Sequence, residues 1–371
     1  MTTVTPIRMP KWGLSMQEGV IVDWWKHEGD LVAEGDDLVD IETSKINNVY
    51  ESPTAGPLRR IVAQPGETLP VGALIAVLAP AEVGDDEVDA FIADFQARFV
   101  PEAADDADAG GFVVSIVQAG GRNLRIGRAG PSEGDPVVLI HGYSGDLNSW
   151  LFNIEALAAR RPVIAVDLPG HGGSSKDVGD GSLRELSGAV AAALAAIGVS
   201  SAHLVGHSLG AAVAARLALD QPEMAKSLTL ITPAYMPGGA LSEAFLTGVA
   251  ETQRAKDLRP WLEKLFADPG SVTTDMIENM LKFKRTDGAE ESLCLLRDRM
   301  VSGEDARSLQ ADFGKLPPTL IIASRNDQIV GAPTESELPT TFRVAWIDGA
   351  GHMPHLEQAA EVNALLLQAV R

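Results

Sequence analysis

An internal repeat near the start of the chain constrains its fold more than any other feature of the sequence. Two segments of similar pattern recur at an offset of 37 residues. The matching positions are 18–21 with 55–58, Gly29 with Gly66, and Gly35 with Gly72. Each half has short β-branched runs broken by glycine-containing turns, which predicts short strands. One copy is too small to bury a core, so the halves, spanning about residues 4–79, are expected to pack together with near-twofold symmetry.

Length and charge bound the rest of the molecule. The 371 residues suit two domains, and 51 acidic against 30 basic residues give a net charge of −21. An acidic surface repels nucleic acid and anionic membranes, so neither is expected as a partner. Cys294 is the single cysteine, so no intrachain disulfide and no cysteine-based zinc site is expected, and the sequence suggests no other metal site. The longest apolar run, residues 189–199, is far shorter than the roughly 20 residues of a membrane span, and no signal peptide is evident, which predicts a cytoplasmic protein.

Residues 81–111 differ from their surroundings because they contain ten acids and a single base. Such a composition predicts a charged, extended linker between a first domain, residues 1–80, and a second, residues 112–371. Five apolar residues within the linker recur at spacings of three and four, which predicts a short amphipathic helix. They are Val88, Phe91, Ile92, Phe95 and Phe99. This helix is expected either to cover a patch on the second domain or to dock a partner subunit.

The second domain alternates apolar strands with helical patterns. The apolar runs are 136–140, 162–166, 202–205, 228–231, 319–322 and 343–347. This alternation predicts an α/β architecture with a mostly parallel, buried sheet. Residues from about 234 to 314 show helical periodicity alone, and we expect them to form a helical lid inserted between two strands.

A G-x-S-x-G sequence places Ser208 between a predicted strand and an alanine-rich helix. The glycines permit the sharp turn that projects a nucleophilic hydroxyl, and the helix N-terminus adds positive potential for an oxyanion. Asp327 and His352 follow in the chain, each just after a predicted strand, where open α/β sheets place their sites. His352 is expected to act as the base and Asp327 to orient its ring. The alternative is an ordinary loop acid and a packed or surface histidine.

Two further motifs follow the first two strands of the second domain: the sequence His-Gly-Tyr-Ser-Gly at 141–145 and DLPGHGGSS at 167–175. With them, residues 112–371 resemble the α/β hydrolase family, which has a doubly wound, mostly parallel sheet and a helical lid. The resemblance implies that the backbone N–H groups of Tyr143 and Leu209 form the oxyanion hole.

The other histidines of these motifs are weaker candidates for catalysis. His171 and His207 are expected to be structural or lining residues. His355 is a poorer base candidate than His352, because it lies a step into the following helix.

Lys45 lies in the sequence Glu-Thr-Ser-Lys-Ile between the two half-repeats, where a symmetric pair of sheets would leave an exposed turn. On its own, such a lysine is ordinarily a solvated surface residue. With the repeat around it, residues 4–79 resemble an all-β lipoyl domain of 2-oxo acid dehydrogenase complexes, a flattened barrel of two half-repeats. The resemblance implies lipoic acid in amide linkage on Lys45, where it would carry an acyl group as a thioester. Biotin carriers have Met on both sides of the lysine, which Ser44 and Ile46 do not match.

Together the two halves resemble the dihydrolipoamide acetyltransferase components of acetoin dehydrogenase complexes. The resemblance implies that a thiamine-diphosphate enzyme cleaves acetoin and acetylates the lipoyl group, and that the second domain passes the acetyl group to coenzyme A. It also implies a dihydrolipoamide dehydrogenase and a homo-oligomer. The chain lacks the His-x-x-x-Asp-Gly motif and the recognisable subunit-binding domain of ordinary 2-oxo acid dehydrogenase acyltransferases. Their chemistry and cubic core are therefore not expected.

The residues leave three functions open. The first is acetyl transfer, with Ser208 either forming an acetyl-serine or only polarising the site during direct transfer. The second is hydrolysis by an esterase or thioesterase, since nothing in the sequence shows that water is excluded. The third is a non-enzymatic carrier whose second domain serves assembly. A small basic cluster, Lys282, Lys284 and Arg285, is either a solvated helix face or a site for coenzyme A phosphates.

Overall fold

The computed structural model describes residues 4–10, 18–42, 47–99 and 112–370. The chain divides into two compact units, Met1–Ala107 and Asp108–Arg371. No helix in the described part of the chain combines the length and the apolar character that a membrane crossing requires.

The first unit consists of two four-stranded sheets within the described residues. Its strands are β1 Thr5–Arg8, β2 Glu18–Trp24, β3 Leu31–Val32, β4 Asp37–Glu42, β5 Asn47–Glu51, β6 Gly56–Ile61, β7 Thr68–Pro70 and β8 Leu74–Leu78. The strand orders are β1-β8-β6-β3 and β5-β4-β2-β7. Adding 37 to the residue numbers carries β2, β3 and β4 onto β6, β7 and β8, so the repeat exchanges one sheet for the other. The predicted all-β domain of two half-repeats is confirmed.

The turns of the repeat show the same symmetry in their hydrogen bonds. The Gly29 N–H donates to the Leu58 carbonyl at 2.7 Å, and the Gly66 N–H donates to the Ile21 carbonyl, also at 2.7 Å. Gly29 and Gly66 have φ values of +97° and +88°, a region that disfavours side chains. The repeat therefore places equivalent hydrogen bonds between the two halves, and it places glycine at the equivalent position of each turn.

Helix α1, Asp85–Arg98, packs on the first unit. Val88 is fully buried in a cluster with Leu74 and Val77 of the β8 strand, and Phe91, Ile92 and Phe95 pack against the same cluster. An ion pair of 2.8 Å between Arg59 Nη2 and Asp85 Oδ1 ties the first turn of α1 to β6. The interpretation that this apolar stripe covers a patch on the second domain is therefore wrong. Docking of a partner subunit on α1 stays a prediction.

The second unit contains one eight-stranded sheet within the described residues. Its strands are β9 Val113–Ala119, β10 Arg122–Ala129, β11 Val137–Ile140, β12 Val163–Val166, β13 Ala202–His207, β14 Ala225–Ile231, β15 Thr319–Ser324 and β16 Phe342–Ile347. Their order is β16-β15-β14-β13-β11-β12-β10-β9, with parallel pairing throughout β11 to β16 and an antiparallel β9–β10 hairpin at one edge. Every residue of β11, β12, β13 and β15 is buried. The predicted α/β fold is confirmed.

Helices cover this sheet, and five of them form the insert between β14 and β15. They are α2 Leu151–Ala158, α3 Leu183–Ala196, α4 Leu209–Asp220, α5 Glu243–Glu251, α6 Ala255–Glu263, α7 Thr274–Lys284, α8 Ala289–Ser302, α9 Glu304–Ala311, α10 Pro354–Glu357 and α11 Ala359–Ala369. Helix α4 directly follows the central strand β13, and its first ten residues are all buried. The sheet and α4 thus form the rigid base from which the loops at the strand ends project.

The insert α5–α9 has two parts with different packing. Helices α5, α8 and α9 contribute Phe245, Leu293 and Leu309 to the main core. Helices α6 and α7 instead build a separate apolar cluster against Met353 and Leu356, which lie just after β16. The second part is therefore attached to the loop that contains His352.

Candidate active site

Ser208 lies at the sharp turn between β13 and α4. Its backbone has φ +53° and ψ −117°, and its side chain is buried. A Cβ added at Gly206 would lie 2.3 Å from the Gly210 carbonyl oxygen, and one at Gly210 would lie 2.2 Å from the Ile140 carbonyl oxygen. Only glycine fits at these two positions, which is why the turn can be tight enough to present the serine at the end of the strand.

His352 and Asp327 are in direct contact. The distance from His352 Nδ1 to Asp327 Oδ2 is 2.8 Å, and the two side chains are 3% and 1% exposed. The other carboxylate oxygen, Oδ1, accepts the backbone N–H groups of Ile329 at 2.8 Å and Val330 at 3.0 Å. With Nδ1–H donating to the carboxylate, the ring has Nε2 free to accept a proton, the tautomer a general base requires.

The environment of Asp327 keeps its carboxylate charged. Burial acts to raise the pKa of Asp327, but the charge and hydrogen bond of His352, with the two backbone N–H groups, outweigh it. The resulting pKa lies below the ordinary value of an aspartate. The carboxylate is therefore suited to hold the imidazole and to stabilise its protonated form.

The backbone of His352 is anchored beside the residue that precedes Ser208. The His352 carbonyl accepts hydrogen bonds from His207 Nε2 and Thr232 Oγ1, each at 2.9 Å. The rings of His207 and His352 lie 4.7 Å apart, centroid to centroid. The structure thus joins His352 to Asp327 directly and to the Ser208 turn through these contacts.

The glycine-rich loop after β11 approaches Ser208 closely. A Cβ at Gly142 would lie 2.9 Å from Ser208 Cβ and 2.8 Å from His207 Nδ1. Tyr143 follows this glycine, and Leu209 is the first residue of α4, where backbone N–H groups have no acceptor within the helix. The two N–H groups predicted for an oxyanion hole therefore belong to segments that flank the serine, one of them at the positive end of a helix.

Four other histidines are buried around this site: His141 and three more, His171, His207 and His355. Burial lowers the pKa of His171 to about 3 and that of His355 to about 3. Burial, together with the neighbouring His355 and His352, also holds the pKa of His207 well below its ordinary value. All three rings are therefore neutral at physiological pH and add no positive charge beside His352.

Lys45 lies outside the described residues. The strands on either side of it in the sequence, β4 and β5, are antiparallel neighbours, with Glu42 opposite Asn47. The residues between them therefore join the ends of two adjacent strands.

One residue of the basic cluster in the insert, Lys284, fits neither prediction made for that cluster. Lys284 is buried, and its ammonium group donates to the carbonyls of Val249, at 2.8 Å, and Thr252. Burial also lowers the pKa of Lys284. Lys284 closes the end of helix α5, so both interpretations of this residue, a solvated face and a phosphate ligand, are wrong. Within the described residues, no group of three or more His, Cys, Asp or Glu side chains could hold a metal ion.

Sequence reasoning missed the residues that hold His352 in place. Thr232, one residue after β14, and Leu265 of the insert both bond to its backbone; the His352 N–H donates to the Leu265 carbonyl at 2.7 Å. The position of Thr232 after a parallel strand was an available signal. Leu265 carries none, because a backbone carbonyl leaves no trace in the sequence.

Comparisons with known proteins agree with this division of the chain. Residues 137–365 match the alpha/beta hydrolase family, and residues 5–78 match a biotin and lipoyl family described as biotin-requiring enzyme. A solved meta-cleavage product hydrolase from Pseudomonas fluorescens is similar with a TM-score of 0.62 and 25% identity, covering 68% of this chain and 96% of its own. A 2-hydroxy-6-oxo-6-phenylhexa-2,4-dienoate hydrolase from a Rhodococcus species shares the fold, with a TM-score of 0.63 and 22% identity over 70% of this chain and 99% of its own.

Two relatives match across both units. One is the dihydrolipoyllysine-residue acetyltransferase component of an acetoin cleaving system from Pseudomonas putida, 43% identical over 372 residues and 100% of both chains. The other is the same component from Cupriavidus necator, 39% identical over 98% of this chain and 96% of its own. The chain belongs to the alpha/beta hydrolase family and, over its whole length, to the dihydrolipoyllysine-residue acetyltransferase components of acetoin cleaving systems.

Proposed function

We propose that this chain is an acyltransferase of acetoin catabolism that moves an acetyl group from a lipoyl arm on Lys45 to coenzyme A, using Ser208, His352 and Asp327. The observation that carries the proposal is the match to acetyltransferase components over both units, not over the hydrolase-like unit alone. The contact between His352 and Asp327, next to the Ser208 turn, supports the assignment of these residues to the transfer.

The first unit suits a lipoyl group at Lys45. Strands β4 and β5 pair as antiparallel neighbours, and of the four residues between them in the sequence Lys45 alone has an amine that can form an amide. Lipoic acid, when bound, supplies a dithiol that carries an acyl group as a thioester. Intact-mass measurement after expression in a lipoylating host tests this: a lipoyl-sized increment is expected, and Lys45→Ala should remove it. An unmodified wild-type chain would contradict the assignment.

The residues of the second unit would act in two chemical steps, acylation and then deacylation of Ser208. In the first, Ser208 Oγ attacks the carbonyl carbon of the donor thioester while His352 Nε2 takes the hydroxyl proton. The carbon–sulfur bond breaks, the proton goes to the departing sulfur, and Ser208 holds the acetyl group. In the second, coenzyme A loses its thiol proton to His352 and attacks the ester, and Ser208 recovers a proton. The N–H groups of Tyr143 and Leu209 would stabilise the oxyanion in both steps.

Direct transfer from one thiol to the other, with Ser208 only polarising the site, is the variant of this mechanism. Rapid quenching with radiolabelled acetyl donor, first without coenzyme A and then with it, separates the two. Label on a peptide containing Ser208 supports the covalent path. Transfer with no label on that peptide, at quench times shorter than one turnover, supports the direct path.

A transferase must keep water away from an acetyl-serine. We propose that the insert, about residues 234–314, acts as the lid, and that residues 81–111 link domains of residues 1–80 and 112–371. The attachment of α6 and α7 to the His352 loop supports a barrier close to the base. The partners would be a thiamine-diphosphate enzyme that cleaves acetoin, a dihydrolipoamide dehydrogenase and further copies of the chain. Coenzyme A as acceptor fits a cytoplasmic location.

Hydrolysis is the second candidate, because solved structures of similar fold are hydrolases. Free acetate and acetyl-coenzyme A, measured from S-acetyldihydrolipoamide with and without coenzyme A, distinguish the two. Transfer predicts acetyl-coenzyme A as the main product and little acetate. Acetate release that does not respond to coenzyme A would favour hydrolysis. Absence of both activities would favour the third possibility, a carrier whose second domain serves assembly.

A further inference from the structure

Thr232 has an unusual backbone for its type. It directly follows Ile231, the last residue of β14, and has φ +37° while being 2% exposed. A β-branched residue at positive φ is a genuine outlier, because its branched side chain crowds the following backbone. The Thr232 N–H donates to the Ile322 carbonyl of β15 at 2.7 Å, so the neighbouring strand holds the strained residue in place.

The strained backbone directs the hydroxyl of Thr232 to the backbone of His352. Thr232 Oγ1 donates to the His352 carbonyl at 2.9 Å, and His207 Nε2 donates to the same oxygen at 2.9 Å. Both lone pairs of that carbonyl are thus used, while the His352 N–H donates to the Leu265 carbonyl at 2.7 Å. Three separate elements therefore fix the backbone of the residue that carries the proposed base.

We propose that Thr232 is a positioning residue for His352, and that the strain at φ +37° is retained because it aims the hydroxyl at the His352 carbonyl. This inference rests on the proposed function of Ser208 and His352. Asp327 sets the rotation of the imidazole, but the Cα–Cβ direction from which the ring starts is set by its backbone anchors. Loss of one anchor allows a shift of a fraction of an ångström, and such displacements reduce catalysis while leaving substrate binding largely intact.

The chain supplies a matched control three residues earlier, within β14. Thr229 is also fully buried in β14, and in the described part of the chain its hydroxyl has no hydrogen-bond partner. Thr232→Val and Thr229→Val each replace a buried threonine hydroxyl by a methyl group, but only the first removes a bond to His352. Thr232→Ser keeps the hydroxyl and serves as the conservative variant.

The experiment uses the full chain and two readouts. One is acetyl transfer from S-acetyldihydrolipoamide to coenzyme A, with kcat and KM determined separately. The other is the rate at which a fluorophosphonate labels Ser208, which needs the base but neither coenzyme A nor transfer. For Thr232→Val we expect kcat and the labelling rate to fall about 10- to 100-fold with KM within about twofold. Thr232→Ser should stay within about threefold, and Thr229→Val should match the wild type.

Thr232→Gly keeps the experiment decisive if Thr232→Val does not fold. Glycine accepts φ +37° without strain, so this variant should fold while lacking the hydroxyl, and we expect the same loss of kcat. Wild-type kcat and labelling in Thr232→Gly, or in a folded Thr232→Val, would overturn the positioning role. If the wild type labels at Ser208 but transfers no acetyl group, the proposed function fails while the labelling rates still test Thr232.

Discussion

The two units differ in which residues occupy the left-handed region of backbone conformation. Among the described residues of the first unit, glycines alone have positive φ: Gly29, Gly35, Gly66 and Gly72. The described residues of the second unit include four that are not glycine: Ser144, Ser208, Thr232 and Tyr235. A unit proposed to carry a cofactor needs only a stable support. A unit proposed to perform chemistry accepts strained residues where they direct a side chain or an N–H group.

The strained residues are grouped along neighbouring segments of the second unit. Ser144 lies in the loop after β11, Ser208 after β13, and Thr232 after β14. Tyr235 follows shortly afterwards, and its carbonyl accepts Gln310 Nε2 of α9 at 2.8 Å. Since each such conformation costs on the order of 1–3 kcal/mol, the surrounding packing must hold them in place. The buried sheet and α4 provide that packing.

The largest effect is expected from Ser208→Ala, which removes the proposed nucleophile without changing the turn. Loss of one member of such a triad typically reduces the rate by about 10⁴- to 10⁶-fold, and we expect acetyl transfer to fall in this range. Steady-state transfer to coenzyme A measures it. Ser187→Ala, at another buried serine on α3, is the control and should keep its rate. If the Ser208→Ala enzyme transferred acetyl groups at a rate within tenfold of the wild type, Ser208 would not be the nucleophile. The strained turn of the second unit would then have no role in the chemistry.

Asp327→Asn should have the next largest effect. The amide favours the wrong tautomer of His352 and cannot stabilise its protonated form, so a loss of about 10⁴-fold in kcat is expected. The pH profile of kcat distinguishes this role from mere packing, since a packing defect would lower the rate without reshaping the profile. A loss below about tenfold, with an unchanged profile, would show that Asp327 is only a structural acid.

The same carboxylate gives a pH dependence of stability. Because the pKa of Asp327 is lower in the folded chain than its ordinary value, the unfolded chain binds more protons in acid, and stability rises with pH through that window. The contribution is present above the ordinary value of about 3.9 and is lost as the pH falls towards the folded pKa. Wild type and Asp327→Asn should therefore differ in urea unfolding at pH 7 and converge below about pH 4. A difference that does not change with pH would contradict this account.

Gly142→Ala should have a smaller effect on the same reaction. The added Cβ would meet Ser208 and His207 at less than 3 Å, so the loop must move away, and with it the Tyr143 N–H. Loss of one oxyanion donor costs about 10²- to 10³-fold in kcat. Gly188→Ala, in an open position on helix α3, is the control and should leave kcat unchanged while slightly stabilising the chain. Equal kcat values for the two variants would exclude this loop from the oxyanion site.

The sequence predicted the features that depend on repeat period and on the order of strands and helices. It did not predict the features that depend on individual contacts between residues. The repeat of 37 residues predicted two halves packed with near-twofold symmetry, and the alternation of strands and helices predicted the parallel sheet. One of the two interpretations of the helix in the acidic segment assigned it to the wrong unit, because an apolar stripe shows that α1 needs a surface but not which one. Lys284 looks like an ordinary helix cation, although its stem reaches the end of α5. Thr232 could not be foreseen, because its role depends on a backbone angle and on a carbonyl 120 residues away.

The smallest predicted effect tests the unstrained character of the first unit. Gly29→Ala and Gly66→Ala each add a Cβ that meets no atom within 4 Å, so the only cost is the left-handed backbone, roughly 1–2 kcal/mol. Because the repeat makes the two turns equivalent, the two losses should be equal. Gly84→Ala, equally open but with φ −66°, is the control, and because alanine is a poorer N-cap than glycine for α1 it should cost about 0.5 kcal/mol. Hydrogen exchange of β2 and β6 amides in the full chain measures the loss within this unit, since unfolding of two units is not a single transition. If Gly66→Ala were no less stable than Gly84→Ala, its glycine would not be required by conformation. The first unit could then no longer serve as the unstrained standard against which the strained residues of the second unit are compared.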